Sequence, residues 1–406
     1  MIFGFKLLII SSMYPGYLRE FYENNPGIHS AAYDDHYDSL LSDSTEFAAS
    51  YTRSFCNNGI PAVCIIANDK RLQRKWLLEN NVRAGNTEEY ILKRISEFQP
   101  DVLWIEDFRF TSLTFIDDLR KKAAYIKLYV GYHCAPINLS NLDKLKSLDL
   151  VITCTPGLKL EFESAGIKSY LVYHGFDSDL LPAIDSFENF PVNNVLFSGS
   201  LFQGYGYHNS RIRLIENLVS KNIDLQLYAE IESRSMLAQR QILFSTYRIL
   251  VSIGIKHPEK LFSILQHGKQ KVLLYSKMLR SKTKKPEYGL KMYTLLKCSR
   301  IILNSHGDVA GDYAGNMRLF EATGTGSCLL TDYKSNLEEL FEVGKEIVVY
   351  NDPDDCAEKI KWLLENDSER MKIALAGQKR TLLSHTVDSR TKSILEILKS
   401  EHHFGN

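Results

Sequence analysis

The chain has 406 residues, more than one hydrophobic core usually organises, so two domains are the default. It is 44% hydrophobic and 24% charged, with 49 basic side chains against 49 acidic ones, so no charge excess points to nucleic acid or another polyanion. The seven cysteines show no CxxC or other clustered ligand spacing, which fits a reducing compartment and gives no support to a zinc site.

The N-terminal stretch MIFGFKLLIISSMYPGY lacks a strong basic n-region and an A-x-A-like cleavage site, so Lys6 to Ser11 reads as a buried first strand rather than a signal peptide. Further strands are expected at 62–67, 101–106, 126–132, 149–154 and 169–174, each a continuous apolar run. Amphipathic stretches lie between them, such as Thr87–Phe98 with Tyr90, Ile91, Ile95 and Phe98 on one face. Continuous apolar strands joined by helices indicate a parallel sheet covered on both faces. Residues 177–194 break the rhythm with Pro182 and Pro191 and read as a linker.

The rhythm restarts with strands expected at 195–200, 224–229, 300–305, 327–332 and 346–351. A helix should begin near Asp352, with acidic residues at its positive end and Ile360, Leu363 and Leu364 on its apolar face. The block 231–285 departs from the pattern: it carries twelve basic residues against Glu232 and Glu259, and Leu250, Ile253, Leu261, Ile264 and Leu265 suggest helices with apolar faces. It could meet an anionic membrane or a lipid-linked acceptor, or be a solvated helical insertion whose charge helps to hold a diphosphate. The fold class that emerges is α/β, with two doubly wound Rossmann-like domains facing a cleft. The boundaries fall at 1–185, 186–388 (with the basic insertion 231–285) and a C-terminal helix and tail, 389–406, that could pack back on the first domain. No apolar run reaches the length of a membrane span.

The most informative stretch is RIILNSHGDVAGDYAGNMRLFEATGTGSCLLTD, from Arg300 to Asp332. It reads as strand, polar glycine-rich loop, short helix from Asn316, and strand. In parallel α/β layers ligands sit beyond the carboxyl ends of strands, where helix N-termini offer free N–H groups. His306, Asp312, Asn316, Arg318 and Glu321 flank that position and suit a phosphate beside sugar hydroxyls. The bland alternative is that Asn316 caps the helix and Arg318 pairs with Glu321 along a wet face. The loop GSLFQGYGYH at 199–208 is the second anion candidate: Gly199, Gly204 and Gly206 let backbone approach, and His208, Arg211 and Arg213 supply donors. No G-x-x-x-x-G-K-[ST] is present, which argues against a P-loop ATPase, and no HExxH or clustered Cys/His pattern supports zinc. Asp177-Ser178-Asp179 spells a metal-binding D-x-D, but in a linker rather than mid-sheet.

The string GLKMYTLLKCSRIILNSHGDVAGDYAGNMRLFEATGTGSCLLTDYKSNLEELFEVGKEIVVYNDPDD resembles the donor-binding half of group 1 glycosyltransferases of the GT-B fold. The nearest branch is the one grouped with spore-maturation-type glycosyltransferases, and IIANDKRLQRKW, FQPDVLWIED, LVYHGFD and LFSGSL fall in order with it. The resemblance implies a nucleotide-sugar donor as co-substrate, no other cofactor and no essential metal. It places Glu321 on the ribose hydroxyls, as a carboxylate can accept two hydrogen bonds from a vicinal diol. The superfamily's first glutamate would fall at Tyr313, and Asp312 is the candidate to take its contact with the transferred sugar. Ser200 stands where the superfamily has a phosphate-loop Arg, which leaves His208 and Arg211, with Arg318, as the expected diphosphate clamp. His133, directly after a strand, matches a histidine that reaches the sugar, or else is structural. His174 precedes Gly175-Phe176-Asp177 and is expected to shape the domain junction.

The implied function is hexosyl or related glycosyl transfer to a saccharide, lipid-linked or other acceptor, with retention, in glycan or glycoconjugate biosynthesis. The acceptor would enter past a Tyr14–Tyr22 loop and His133, and closure of the halves would exclude water. A sugar-nucleotide 2-epimerase of the same fold, or an inactive GT-B binding module, are the alternatives. The expected location is cytoplasmic, with possible peripheral contact at the inner membrane face through 231–285, and no nucleic-acid partner is expected.

Overall fold

The structure is a computed structural model and describes residues 4–137, 141–186, 191–203 and 208–402. It contains two six-stranded sheets, parallel throughout. The first is formed by β1 (Leu7–Ser11), β2 (Ala62–Ile66), β3 (Val102–Ile105), β4 (Leu128–Tyr132), β5 (Leu150–Thr153) and β6 (Ser169–Leu171), in the order β2-β1-β3-β4-β5-β6. The second has β7 (Asn193–Ser200), β8 (Leu225–Glu230), β9 (Thr283–Lys284), β10 (Ser299–Leu303), β11 (Cys328–Asp332) and β12 (Val348–Tyr350), in the order β12-β11-β10-β7-β8-β9. Both sheets are doubly wound. Strand order reverses beside β1 and β3 in the first and beside β7 and β10 in the second, the places where such sheets open a crevice for ligands.

Strand composition explains the layering. Every residue of β1 and β3 is buried, because helices cover both faces of the sheet. In the second sheet the two faces separate by alternation. Val195, Phe197, Ile301, Leu303 and Leu330 join one core, while Leu196, Ile302 and Leu329 join the other.

Eleven of these strands lie where the apolar runs placed them; β9 was missed. It is a two-residue Thr-Lys strand in the basic block, and its pairing with β8 rather than any local pattern makes it a strand. The expected linker is partly helical: Leu181–Asp185 forms a helix with Pro182 in its first turn and Ile184 buried, a position where proline costs no hydrogen bond. Pro15–Asn24 is likewise a helix rather than a loop, with Tyr17, Leu18, Phe21 and Tyr22 buried. The helix Pro353–Glu365 is capped by Asp352, whose carboxylate accepts from the N–H groups of Asp354 and Asp355.

The chain returns to the first half at its end. Val387, Ile394, Leu395 and Leu398 of the helix Val387–Glu401 join the first core, and backbone hydrogen bonds tie Phe176 to His385 and Val387. The basic block behaves differently from its expected apolar faces. Its helix Arg234–Ser252 buries only Leu237, and Ile253, Leu261 and Ile264 are exposed while Leu265 is buried. Glu232 anchors the block from a fully buried position: Arg240 pairs with it at 2.9 Å, and Tyr275 and the Gln203 N–H donate to its carboxylate. Among the described residues, no helix is long and apolar enough to cross a membrane.

Candidate functional site

The crevice of the second sheet is built from the ends of β7, β10 and β11. Ser198 to Ser200 close β7, Asn304 to His306 follow β10, and Asp332 ends β11. His306 is buried between them; its backbone N–H and Nδ1 both meet Asp332 Oδ1, at 2.9 and 2.7 Å. Burial alone would raise the Asp332 carboxyl, but His306 and Lys334 outweigh it and hold it below its ordinary value. A carboxylate at Nδ1 places the imidazole proton there, so Nε2 carries a lone pair or, in the charged form, a second N–H. Among the described residues, that Nε2 is buried without a hydrogen-bond partner.

Arg318 and Glu321 form the other wall. Arg318 Nη1 lies 2.9 Å from Glu321 Oε2, Nη2 reaches Ser198 Oγ at 3.5 Å, and both side chains are largely buried. Here too one buried atom, Arg318 Nε, has no partner among the described residues. The pairing expected on a wet face therefore exists, but between largely buried side chains. Buried polar groups are nearly always hydrogen-bonded, so these two atoms are the ones in the crevice that could bond a ligand.

The helix that follows begins at Arg318, not at Asn316, and Asn316 does not cap it. The Asn316 side chain is exchanged with Asn304 instead, at 2.8 and 3.3 Å, which locks the loop to β10. The N–H groups of Leu319, Phe320 and Glu321 already bond to the carbonyls of Asn316 and Met317, so side chains rather than that helix end face the crevice.

Arg211 is buried, and its donors go to the carbonyls of Ser305 and Ser200. Burial lowers its guanidinium to about 10, so it is a cation fixed beneath the two loops that it joins. His208 stands at the start of the helix Asn209–Ser220, where the Ser210 N–H donates to Asp308 Oδ2 at 2.9 Å. Gly199 lies in β7 beside Arg211, and Gly204 and Gly206 are outside the described residues. Asp312 is exposed, while its neighbour Tyr313 packs on Gly157 of the first half.

His133 is tied into the first half. Its ring lies between Phe108 and Phe162, Nε2 is 3.0 Å from Asn141 Nδ2, and burial lowers its imidazole pKa. The Asp177 and Asp179 carboxylates are engaged by Arg53 and Asn57, a structural use of the D-x-D triplet.

Sequence reading named the Tyr14–Tyr22 stretch at the acceptor entrance but missed the carboxylates beside it at the first switch point. Tyr14 packs against Tyr288 and senses Glu46 and Glu106 on its own side, and Glu321 and Arg318 across the cleft. Its phenol is raised, first by burial between the halves, an effect weakened by the 61% exposure it retains, and then by those carboxylates. Glu46 accepts the Tyr14 N–H at 3.0 Å, and burial followed by the proximity of Glu106 lifts it to about 8. Burial lifts Glu106 to about 7, against a hydrogen bond from Ser11. The signal available was position: Glu106 and Asp332 each end a parallel-strand run on the side where ligands bind.

This gives a pH test. Glu46 keeps its proton to about pH 8 when folded, whereas an unfolded glutamate loses it near 4.5, so stability falls as pH rises between those values. Glu46→Gln should flatten that slope and gain roughly 1–3 kcal/mol above it. Urea melts of both proteins at about pH 5 and about pH 9 check this. Parallel pH profiles would exclude Glu46 as the source.

Residues 259–396 match the family described as glycosyl transferase-like. A solved glycosyltransferase from Rickettsia africae is similar over 98% of this chain and 98% of its own, at 12% identity and a TM-score of 0.55. The HepE protein of Anabaena, solved with UDP-glucose, is similar over 98% of this chain and 100% of its own, at 13% identity and a TM-score of 0.52. Sucrose-phosphate synthase from Thermosynechococcus elongatus covers 97% of this chain and 98% of its own, at 11% identity and a TM-score of 0.53. No curated protein sequence matches the chain. At these identities the likeness is one of fold. The chain has the two-domain GT-B architecture, and residues 259–396 resemble the glycosyl transferase-like family.

Proposed function

We propose that this protein is a glycosyltransferase, of the branch grouped with spore-maturation-type enzymes, that moves a sugar from a nucleotide sugar to a saccharide, lipid-linked or other acceptor. The observation that carries the reading is the pair of buried atoms, His306 Nε2 and Arg318 Nε, unpartnered at the β7–β10 switch point. Arg318 and His306 would meet the diphosphate, Glu321 the ribose hydroxyls, and Arg211 would add fixed positive charge beneath the loops. Such preorganised donors stabilise the negative charge that grows on the leaving diphosphate. With that charge met by side chains, the reaction needs no divalent cation, and we propose retention at the anomeric carbon. Tyr14, Glu46 and Glu106 would line the acceptor side in place of His133, whose ring is held by Phe108, Phe162 and Asn141.

The test is a thermal-shift panel of nucleotide sugars, followed by product analysis with and without added magnesium or manganese. UDP-sugars come first, because HepE, of the same fold, was solved with UDP-glucose. We expect one donor to raise the melting temperature and equal transfer rates in both buffers. Release of a changed sugar nucleotide without any acceptor would mark a 2-epimerase instead.

A lipid-linked acceptor is favoured by the basic block. Ile242, Ile249, Ile253, Leu261, Phe262 and Ile264 are exposed there amid lysines and arginines, the composition of a surface that lies on anionic lipid. The full chain should co-sediment with vesicles containing phosphatidylglycerol and stay in solution with phosphatidylcholine alone. Equal recovery from both would remove the membrane contact.

A further inference from the structure

We infer that Cys134, Cys154 and His174 form a binding site for a thiophilic divalent cation of the zinc class, at the carboxyl edge of the first sheet. Their ligand atoms lie within 4.8 Å of one another. In a tetrahedral zinc site, bonds of about 2.3 Å to sulfur and about 2.0 Å to nitrogen place ligand atoms about 3.5 Å apart. Side-chain adjustment of less than about 1 Å would close the observed cluster on an ion of that size.

The sheet register explains why spacing concealed the site. Tyr132 on β4 pairs with Ile152 on β5, and two residues further along each strand come Cys134 and Cys154. His174 follows β6, the next neighbour of β5. Positions 134, 154 and 174 are thus equivalent exits from three successive βα units, far apart in sequence and adjacent in space. No local motif could show this.

The surroundings fit a cation. Cys154 is buried while Cys134 and His174 are partly open, which leaves a side for a water ligand beside three protein ligands. Two thiolates and one divalent cation sum to zero, the charge that a buried location tolerates best. His174 Nδ1 lies 3.0 Å from the Tyr132 hydroxyl, the kind of outer contact that orients a ligating imidazole. The site borders the cleft, since Gly315 of the second half abuts the Cys154 carbonyl. A bound ion would tie together the strand ends on which the second half closes.

The full chain, purified under reductant and stripped by a chelator, is titrated with Zn²⁺ against a colorimetric chelator and, separately, with Co²⁺. We expect one tightly held ion per chain and a thiolate-to-cobalt absorption band. Cys134→Ser, Cys154→Ser and His174→Gln should each weaken Zn²⁺ at least tenfold, while Cys56→Ser, at an exposed thiol, should not. If a variant fails to fold, the cobalt band of the wild type still decides, because it reports thiolate ligation directly. Absence of the band, or unchanged affinity in folded variants, overturns the site. So does a protein whose two missing thiols return with reductant, because a Cys134–Cys154 disulfide would then be the resident state.

Discussion

Replacing Glu321 by glutamine, or Arg318 by alanine, is expected to abolish the rise in melting temperature that a nucleotide sugar gives the wild-type chain. Glu321 is 4% exposed and is the anion that compensates Arg318, whose Nε has no protein partner among the described residues. A ligand phosphate at that atom would form a charge-assisted hydrogen bond, for which about 2 kcal/mol is typical. Loss of that bond alone weakens binding about 30-fold. Glutamine is preferred at 321 because it keeps the volume and one acceptor. Alanine would take away the acceptor of Arg318 along with the charge and leave a void, and would confuse binding with folding. Isothermal titration with the best donor of the panel, alongside melting curves without ligand, separates the two. Unchanged affinity in both folded variants would remove these residues from the site and, with them, the diphosphate position on which the glycosyltransferase proposal rests.

The layers of the fold were legible because a buried parallel strand must be apolar on both faces, so LLII and RIIL announce themselves without context. Features set by tertiary contact were not. β9 is strand only because β8 offers it partners, and the helix Arg234–Ser252 has residues that look like a core face yet packs only Leu237 away. Asn316 has the chemistry of a helix cap, but Asn304 competes for its amide across the crevice, and side-chain exchange prevails. Arg211 shows the same limit. Its charge beside a glycine-rich loop suggests an anion, whereas the fold uses it to bind two carbonyls. Glu321, Arg318 and His306 stand out as candidates because their stretch is contiguous. Glu46, Glu106 and the Cys134–Cys154–His174 cluster were missed because each belongs to a different βα unit.

Gly315→Ala is expected to lower kcat/KM for transfer by about 100-fold or more while leaving both halves folded. A Cβ at this position would stand 2.4 Å from the Cys154 carbonyl oxygen and 2.5 Å from Thr155 Cγ2, both in the opposite half. Backbone cannot yield by that much locally, so the strain must open the cleft. Nearby, the ring of Tyr313 lies where a Cβ on Gly157 would meet it at 2.8 Å, so the two loops interlock and neither can shift alone. The displacement needed to restore ordinary contact is about 1 Å, and a misplacement of that size between reacting groups costs about 100-fold in rate. The glycine-rich loop before Arg318 thus owes part of its composition to the approach of the other half rather than to an anion. Donor binding should change little, because Arg318, Glu321 and His306 all sit on one side of the cleft. The kinetic signature is therefore a fall in transfer with the nucleotide-sugar affinity retained, measured by initial rates beside titration calorimetry. A variant that transfers as fast as the wild type would mean that the closed contact between Gly315 and Cys154 is not the reacting geometry.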